Sequence, residues 1–111
     1  MNAIVGGKII LKDKILEDHA LLYTDVIEDI VPCDKVPQSA KIIDAKGGYV
    51  SPGLIDLHIH GYLRCDVCDG KEESIRTISE GLLKNGVTGY LPTTMTESME
   101  TIETALSVCR E

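Results

Sequence analysis

The sequence predicts an α/β protein in which a β-rich layer comes first and two strand-helix units follow. Three observations predict it. Residues 2 to about 50 fall into short Ile-, Val- and Leu-rich runs cut every few positions by polar or turn residues. From residue 54 the pattern becomes strand, loop, helix, strand, helix, the alternation that builds parallel sheets with helices outside. Between the two, "AKGGYVSPG" gathers Gly47, Gly48, Pro52 and Gly53 into a break, which divides the chain into 1–50 and 51–111.

In the first half the runs are "AIV", "KIIL", "ILEDHALLYT", "VIEDIVP" and "KIID", spaced as in an antiparallel meander or one layer of a sandwich. "CDKVPQSAK", flanked and broken by Pro32 and Pro37, reads as a loop, and His19 in "LEDHALL" as a solvated turn edge. The second half opens with "LIDLHIH". Side chains alternate along a strand, so Ile55, Leu57 and Ile59 are expected to pack while Asp56, His58 and His60 share the other face.

A helix is predicted over 72–85, with Ile75, Ile78 and Leu82 on one stripe, Glu72 and Glu73 at the end the dipole favours for anions, and Gly86 as the stop. "VTGYLP" is the second strand. A second helix is predicted over 97–109, capped by Thr96, with Met99, Ile102, Leu106 and Cys109 on its core stripe. Two parallel strands with two helices leave open edges and little core, so this half looks like the start of something larger.

The 111 residues suffice for one modest core, and 43% hydrophobic with 26% charged residues is ordinary for a globular chain. A net charge of −7 without a Lys/Arg cluster argues against nucleic acid as a partner. No apolar run approaches the roughly 20 residues of a membrane helix, and the first residues lack the pattern of a secretory signal, so the expectation is a cytoplasmic protein with no membrane partner.

Cysteines stand at 33, 65, 68 and 109. "CDVC" has C-x-x-C spacing, but a structural zinc site needs two further ligands at matching intervals, and a redox pair should open a helix after a strand. Ordinary reduced thiols are the expectation. Asp66 and Asp69 around them suit turn and cap roles as well as a place near the strand end.

His58 and His60 hold the chemical interest. On a strand their Cα atoms lie about 6.6 Å apart, close enough for both imidazoles to reach one zinc-like ion at about 2.0–2.1 Å. Asp56, on the same face, can support the pair by accepting a hydrogen bond. On pattern alone, a polar strand face open to water accounts for two histidines equally well.

The stretch "GGYVSPGLIDLHIHG" resembles the entry to the barrel of the amidohydrolase superfamily, where a sandwich strand passes through a Pro-Gly turn into the first barrel strand and its H-x-H metal motif. "HGYLRCDVCDG" and, more closely, "NGVTGYLPTTMT" are similar to N-acetylglucosamine-6-phosphate deacetylases. One departure is Tyr62, Leu63 and Arg64, where that family has a more glycine-rich run. Dihydroorotases and hydantoinases share the P-G-x-I-D-x-H-x-H stretch, but dihydroorotase-like sequences place a carboxylate-gripping arginine two residues past the second histidine, where this chain has Tyr62.

The resemblance implies the N-terminal part of a β-sandwich domain over 1–50, then the first two βα units of a TIM-like (β/α)8 barrel over 51–111, incomplete in this chain. It implies that the parent enzyme hydrolyses the acetamide of N-acetylglucosamine 6-phosphate to glucosamine 6-phosphate and acetate. A divalent metal ion, zinc, iron or similar, serves that chemistry, with His58 and His60 at the H-x-H ligand positions. Homodimers are usual in the family. The general base, the later ligands and the phosphate-gripping residues do not occur here, so no catalytic residue is assigned and the chain alone is expected to be inert. Rival expectations are a cyclic-amide amidohydrolase, a non-enzymatic truncated product, and a metal or redox module built on Cys65 and Cys68.

Overall fold

The computed structural model describes residues 1–110. Two compact units divide them, Met1–Pro52 and a second that begins at Gly53.

The first unit contains β1 (Asn2–Val5), β2 (Lys8–Ile10), β3 (Ile15–Leu16), β4 (His19–Tyr23), β5 (Ile27–Pro32), β6 (Lys41–Asp44) and β7 (Tyr49–Val50). They form one sheet of order β5-β4-β1-β6 and another of order β3-β2-β7. The expected antiparallel meander is corrected in two places, because β1 pairs with β6 and β2 with β7 in parallel. Consecutive runs therefore do not simply fold back on each other. The alternation fixes what is buried: Ala20 and Leu22 of β4 face inward with Ala3 of β1 and Ile9 of β2. The run 15–24 is broken into two strands at Asp18, whose φ of 57° lies in the left-handed region. His19, expected at a turn edge, instead opens β4, where its Nδ1 lies 2.7 Å from the Glu17 carbonyl oxygen.

The second unit runs β8 (Leu54–Ile59), β9 (Gly61–Tyr62), β10 (Cys65–Asp66), a 3-10 turn at Val67–Asp69, α1 (Glu72–Leu83), β11 (Val87–Pro92) and α2 (Met99–Val108). Strands β8 and β11 pair in parallel, and β9 with β10 makes a small antiparallel pair. Gly53 exists because of this pairing: a Cβ there would collide with the side chain of Thr88 on the neighbouring strand. Helix α1 buries Ile78 and Leu82 as its period predicts, and they form a core with Val67 and Ala105, against which Ile59, Tyr62 and Ile75 pack. Burial of side chains of this size stabilises by about 1.5–3 kcal/mol each.

Helix α1 ends at Leu83 rather than 85, and Gly86 follows with φ 80°, a conformation that costs glycine little. Helix α2 is shorter than the predicted 97–109, and its cap is Ser98, not Thr96: the Ser98 hydroxyl accepts from the Thr101 N–H at 3.2 Å. Its predicted stripe is also corrected. Met99 is 69% and Leu106 51% exposed, while Ala105 is fully buried between the half-buried Ile102 and Cys109. The inward face is thus centred on the small residue, which lets the helix approach the 3-10 turn closely. In β8 the packing expectation fails in part, since Ile55 is 68% and Leu57 71% exposed and only Ile59 reaches the core. Among the described residues no helix is long and apolar enough to cross a membrane.

Candidate metal centre

Strand β8 carries His58 and delivers His60 immediately past its last residue. At that end the backbone is secured from β11: the Thr93 N–H donates to the Ile59 carbonyl at 2.9 Å. The two imidazoles turn toward each other, with ring centroids 4.9 Å apart and planes at 80°. Their Nε2 atoms are separated by 3.2 Å. Two nitrogens that each lie about 2.0–2.1 Å from a tetrahedral zinc are about 3.3 Å apart, so the pair has the bite of a chelate.

The orientation of His60 comes from across the sheet, because its Nδ1 lies 3.0 Å from the Thr93 carbonyl oxygen. That oxygen can only accept, so Nδ1 carries the proton and Nε2 presents its lone pair. Sequence reading missed this partner. Thr93 is 33 positions away and acts through its backbone, which leaves no mark in residue type; only the parallel pairing of β8 with β11 would have indicated it.

Asp56 sits on the strand as expected, but its Oδ1 accepts from the His58 backbone N–H at 3.0 Å and braces the strand rather than a ring. Asp66 and Asp69 take the cap role. Asp66 accepts from the Cys68 N–H, and Asp69 accepts from the Asp66 N–H and the Ser74 hydroxyl. These bonds, the Asp66 N–H foremost, hold the Asp69 carboxyl below its usual pKa. All four cysteines are free thiols. Cys65 packs on the core, and the Cys68 sulfur accepts from the Met95 N–H at 3.3 Å. Burial pushes the Cys109 thiol pKa up. Among the described residues no group of three His, Cys, Asp or Glu side chains converges as a metal cage.

Tyr62 occupies the place of the arginine in dihydroorotase-like sequences. It is turned to the helix: its ring lies over Gly81, where a Cβ would come within 2.7 Å of the ring carbons, and its hydroxyl accepts from the Asn85 side chain at 3.0 Å. A residue so placed fills core space.

No family model matches the chain. An N-acetylglucosamine-6-phosphate deacetylase of Haemophilus influenzae is 30% identical in an alignment covering 98% of this chain and 29% of the relative. A dihydroorotase of Staphylococcus aureus is 34% identical over 83% of this chain and 21% of its own length. The crystal structure of N-acetylglucosamine-6-phosphate deacetylase from Pasteurella multocida superposes with a TM-score of 0.90 at 32% identity, over 98% of this chain and 29% of that one. The chain thus spans less than a third of the length of each of these three proteins. In fold it is of the amidohydrolase type, the class of hydrolases to which these relatives belong. Within that class, sequence and fold together relate it to the N-terminal portion of N-acetylglucosamine-6-phosphate deacetylases.

Proposed function

We propose that this chain supplies the opening part of a metal-dependent deacetylase that hydrolyses N-acetylglucosamine 6-phosphate to glucosamine 6-phosphate and acetate. The substrate is that of the named relatives. The observation that carries the metal reading is the 3.2 Å approach of His58 Nε2 and His60 Nε2 at the C-terminal end of a strand paired in parallel, the end at which barrel enzymes place their chemistry. His58 and His60 are the residues that would hold a divalent cation, and Asp56 braces the backbone at His58 by accepting from its N–H. The chemistry such a cation supplies when bound is Lewis acidity toward an amide carbonyl and a water molecule.

In the proposed architecture residues 1–50 belong to a small β-sandwich and 51–111 begin a (β/α)8 barrel. The uncovered side chains of Ile55 and Leu57 and the two-stranded β8–β11 sheet support this, since further strands and helices would cover both. The parent is proposed to be a cytoplasmic homodimer. Two imidazoles fill only two of the four positions of a zinc-like ion, so the chain by itself binds metal weakly and is inert.

The test is acetate release from N-acetylglucosamine 6-phosphate by the full-length protein, with ring opening of dihydroorotate assayed beside it. Acetate release without ring opening is expected; the reverse result overturns the assignment. His58→Ala and His60→Ala in that protein should each weaken metal retention by more than about tenfold, because loss of mere supporting hydrogen bonds already costs 10–100-fold.

A further inference from the structure

The contact that holds Tyr62 over α1 ends on the dipeptide Asn85–Gly86, which takes no part in the metal pair. The Gly81 carbonyl can only accept, so Asn85 turns its Nδ2 amide toward that oxygen at 3.1 Å and toward the Tyr62 hydroxyl at 3.0 Å. One carboxamide thus ties the β9–β10 hairpin to the last turn of α1. Asparagine followed by glycine is also prone to deamidation, because glycine has no side chain to shield its amide nitrogen. In that reaction the Gly86 nitrogen, its proton taken by a base, attacks Asn85 Cγ; the Cγ–Nδ2 bond breaks and ammonia leaves. Water then opens the cyclic imide to aspartate or isoaspartate. Asn85 and Gly86 are exposed, and a Cβ on Gly86 would meet nothing within 4 Å, so base and water have access.

We propose that Asn85 is a modification site whose deamidation loosens the last turn of α1 from the β9–β10 hairpin, and that the folded turn restrains the reaction. The restraint follows from the hydrogen bonds. The Gly86 N–H donates to the Leu83 carbonyl at 3.0 Å, which shields the proton whose removal makes the nitrogen a nucleophile. On the other side, Gly81 and Tyr62 hold the amide that has to leave. Attack therefore waits on local opening of the turn. The consequence follows from the product. A carboxylate has no N–H to offer, so its contact with the Gly81 carbonyl becomes repulsive. It also places a negative charge at the C-terminal end of α1, where the helix dipole opposes it.

The experiment follows deamidation at Asn85 by mass spectrometry of proteolytic fragments during incubation in mildly alkaline buffer. The parent protein, its Tyr62→Phe variant and a synthetic peptide of residues 82–88 are compared. Conversion should be slower in the parent than in the peptide by more than about tenfold, since more than one hydrogen bond must open first. Tyr62→Phe keeps the ring over Gly81 and removes one acceptor, so conversion should quicken by about 2–10-fold, the worth of one neutral hydrogen bond. Parent and peptide converting at equal rates, or a Tyr62→Phe rate no faster than the parent's, overturns the restraint. The loosening is read separately in Asn85→Asp, whose amide hydrogen exchange at Gly86 should be faster than in the parent while that at the buried Ile78 stays the same. Unchanged exchange at Gly86 overturns the release of the helix end.

Discussion

Helix α1 and strand β8 belong to the same unit and both carry apolar residues at the period of their element. In the helix, Ile78 and Leu82 are buried against Val67 and Ala105. In the strand, Ile55 and Leu57 face solvent, and only Ile59, next to the histidine end, packs. The difference teaches that periodicity specifies a face, whereas burial requires an element opposite it. The 3-10 turn and α2 stand opposite α1; among the described residues nothing covers the first half of β8.

The sharpest way to break that comparison is to empty both faces. Ile78→Ala should destabilise the second unit by about 2–5 kcal/mol, measured by urea unfolding followed through helical circular dichroism. Leu57→Ala in the same assay should change stability by less than about 0.5 kcal/mol. Equal losses would mean that Leu57 is covered in solution.

A smaller effect separates backbone approach from side-chain burial. Gly53→Ala forces a methyl group into Thr88 and should cost about 1–3 kcal/mol, partly recovered in the double variant with Thr88→Ala. No recovery would mean that the strands already sit further apart. Next comes the cap of α2, where Ser98→Ala should cost about 0.5–2 kcal/mol and Thr96→Ala should be silent in the same denaturation series.

The smallest expected effect is electrostatic. The Asp69 pKa is lower in the folded chain than in the unfolded one, so the unfolded state binds more protons as pH falls. Its stabilising contribution is complete above the ordinary carboxylate range and is lost as pH drops through the depressed folded value. Asp69→Asn should flatten that acid limb of the stability profile, by a modest amount because the group is solvent-screened. A limb of unchanged slope would remove Asp69 as its source.

Much of this molecule was legible because its signals are local. The strands of the first unit follow their Ile- and Val-rich runs, and the break at Gly47, Gly48, Pro52 and Gly53 falls where one unit gives way to the next. The α2 stripe misled because Met99 and Leu106 satisfy an amphipathic period as well as Ala105 does, and a period alone does not rank a small residue above large ones. Helix packing did, since close contact with the 3-10 turn at Val67–Asp69 favours the residue with the least side chain.

By itself the sequence determined that His58 and His60 stand two residues apart at the end of a strand that follows a Pro-Gly corner, because alternation and turn chemistry act over a few residues. Only the tertiary structure decided that the two rings converge and which nitrogen of His60 is free. That decision rests with the Thr93 carbonyl just past the end of the neighbouring strand, and a backbone group brought in by sheet pairing has no counterpart in the spelling of the chain.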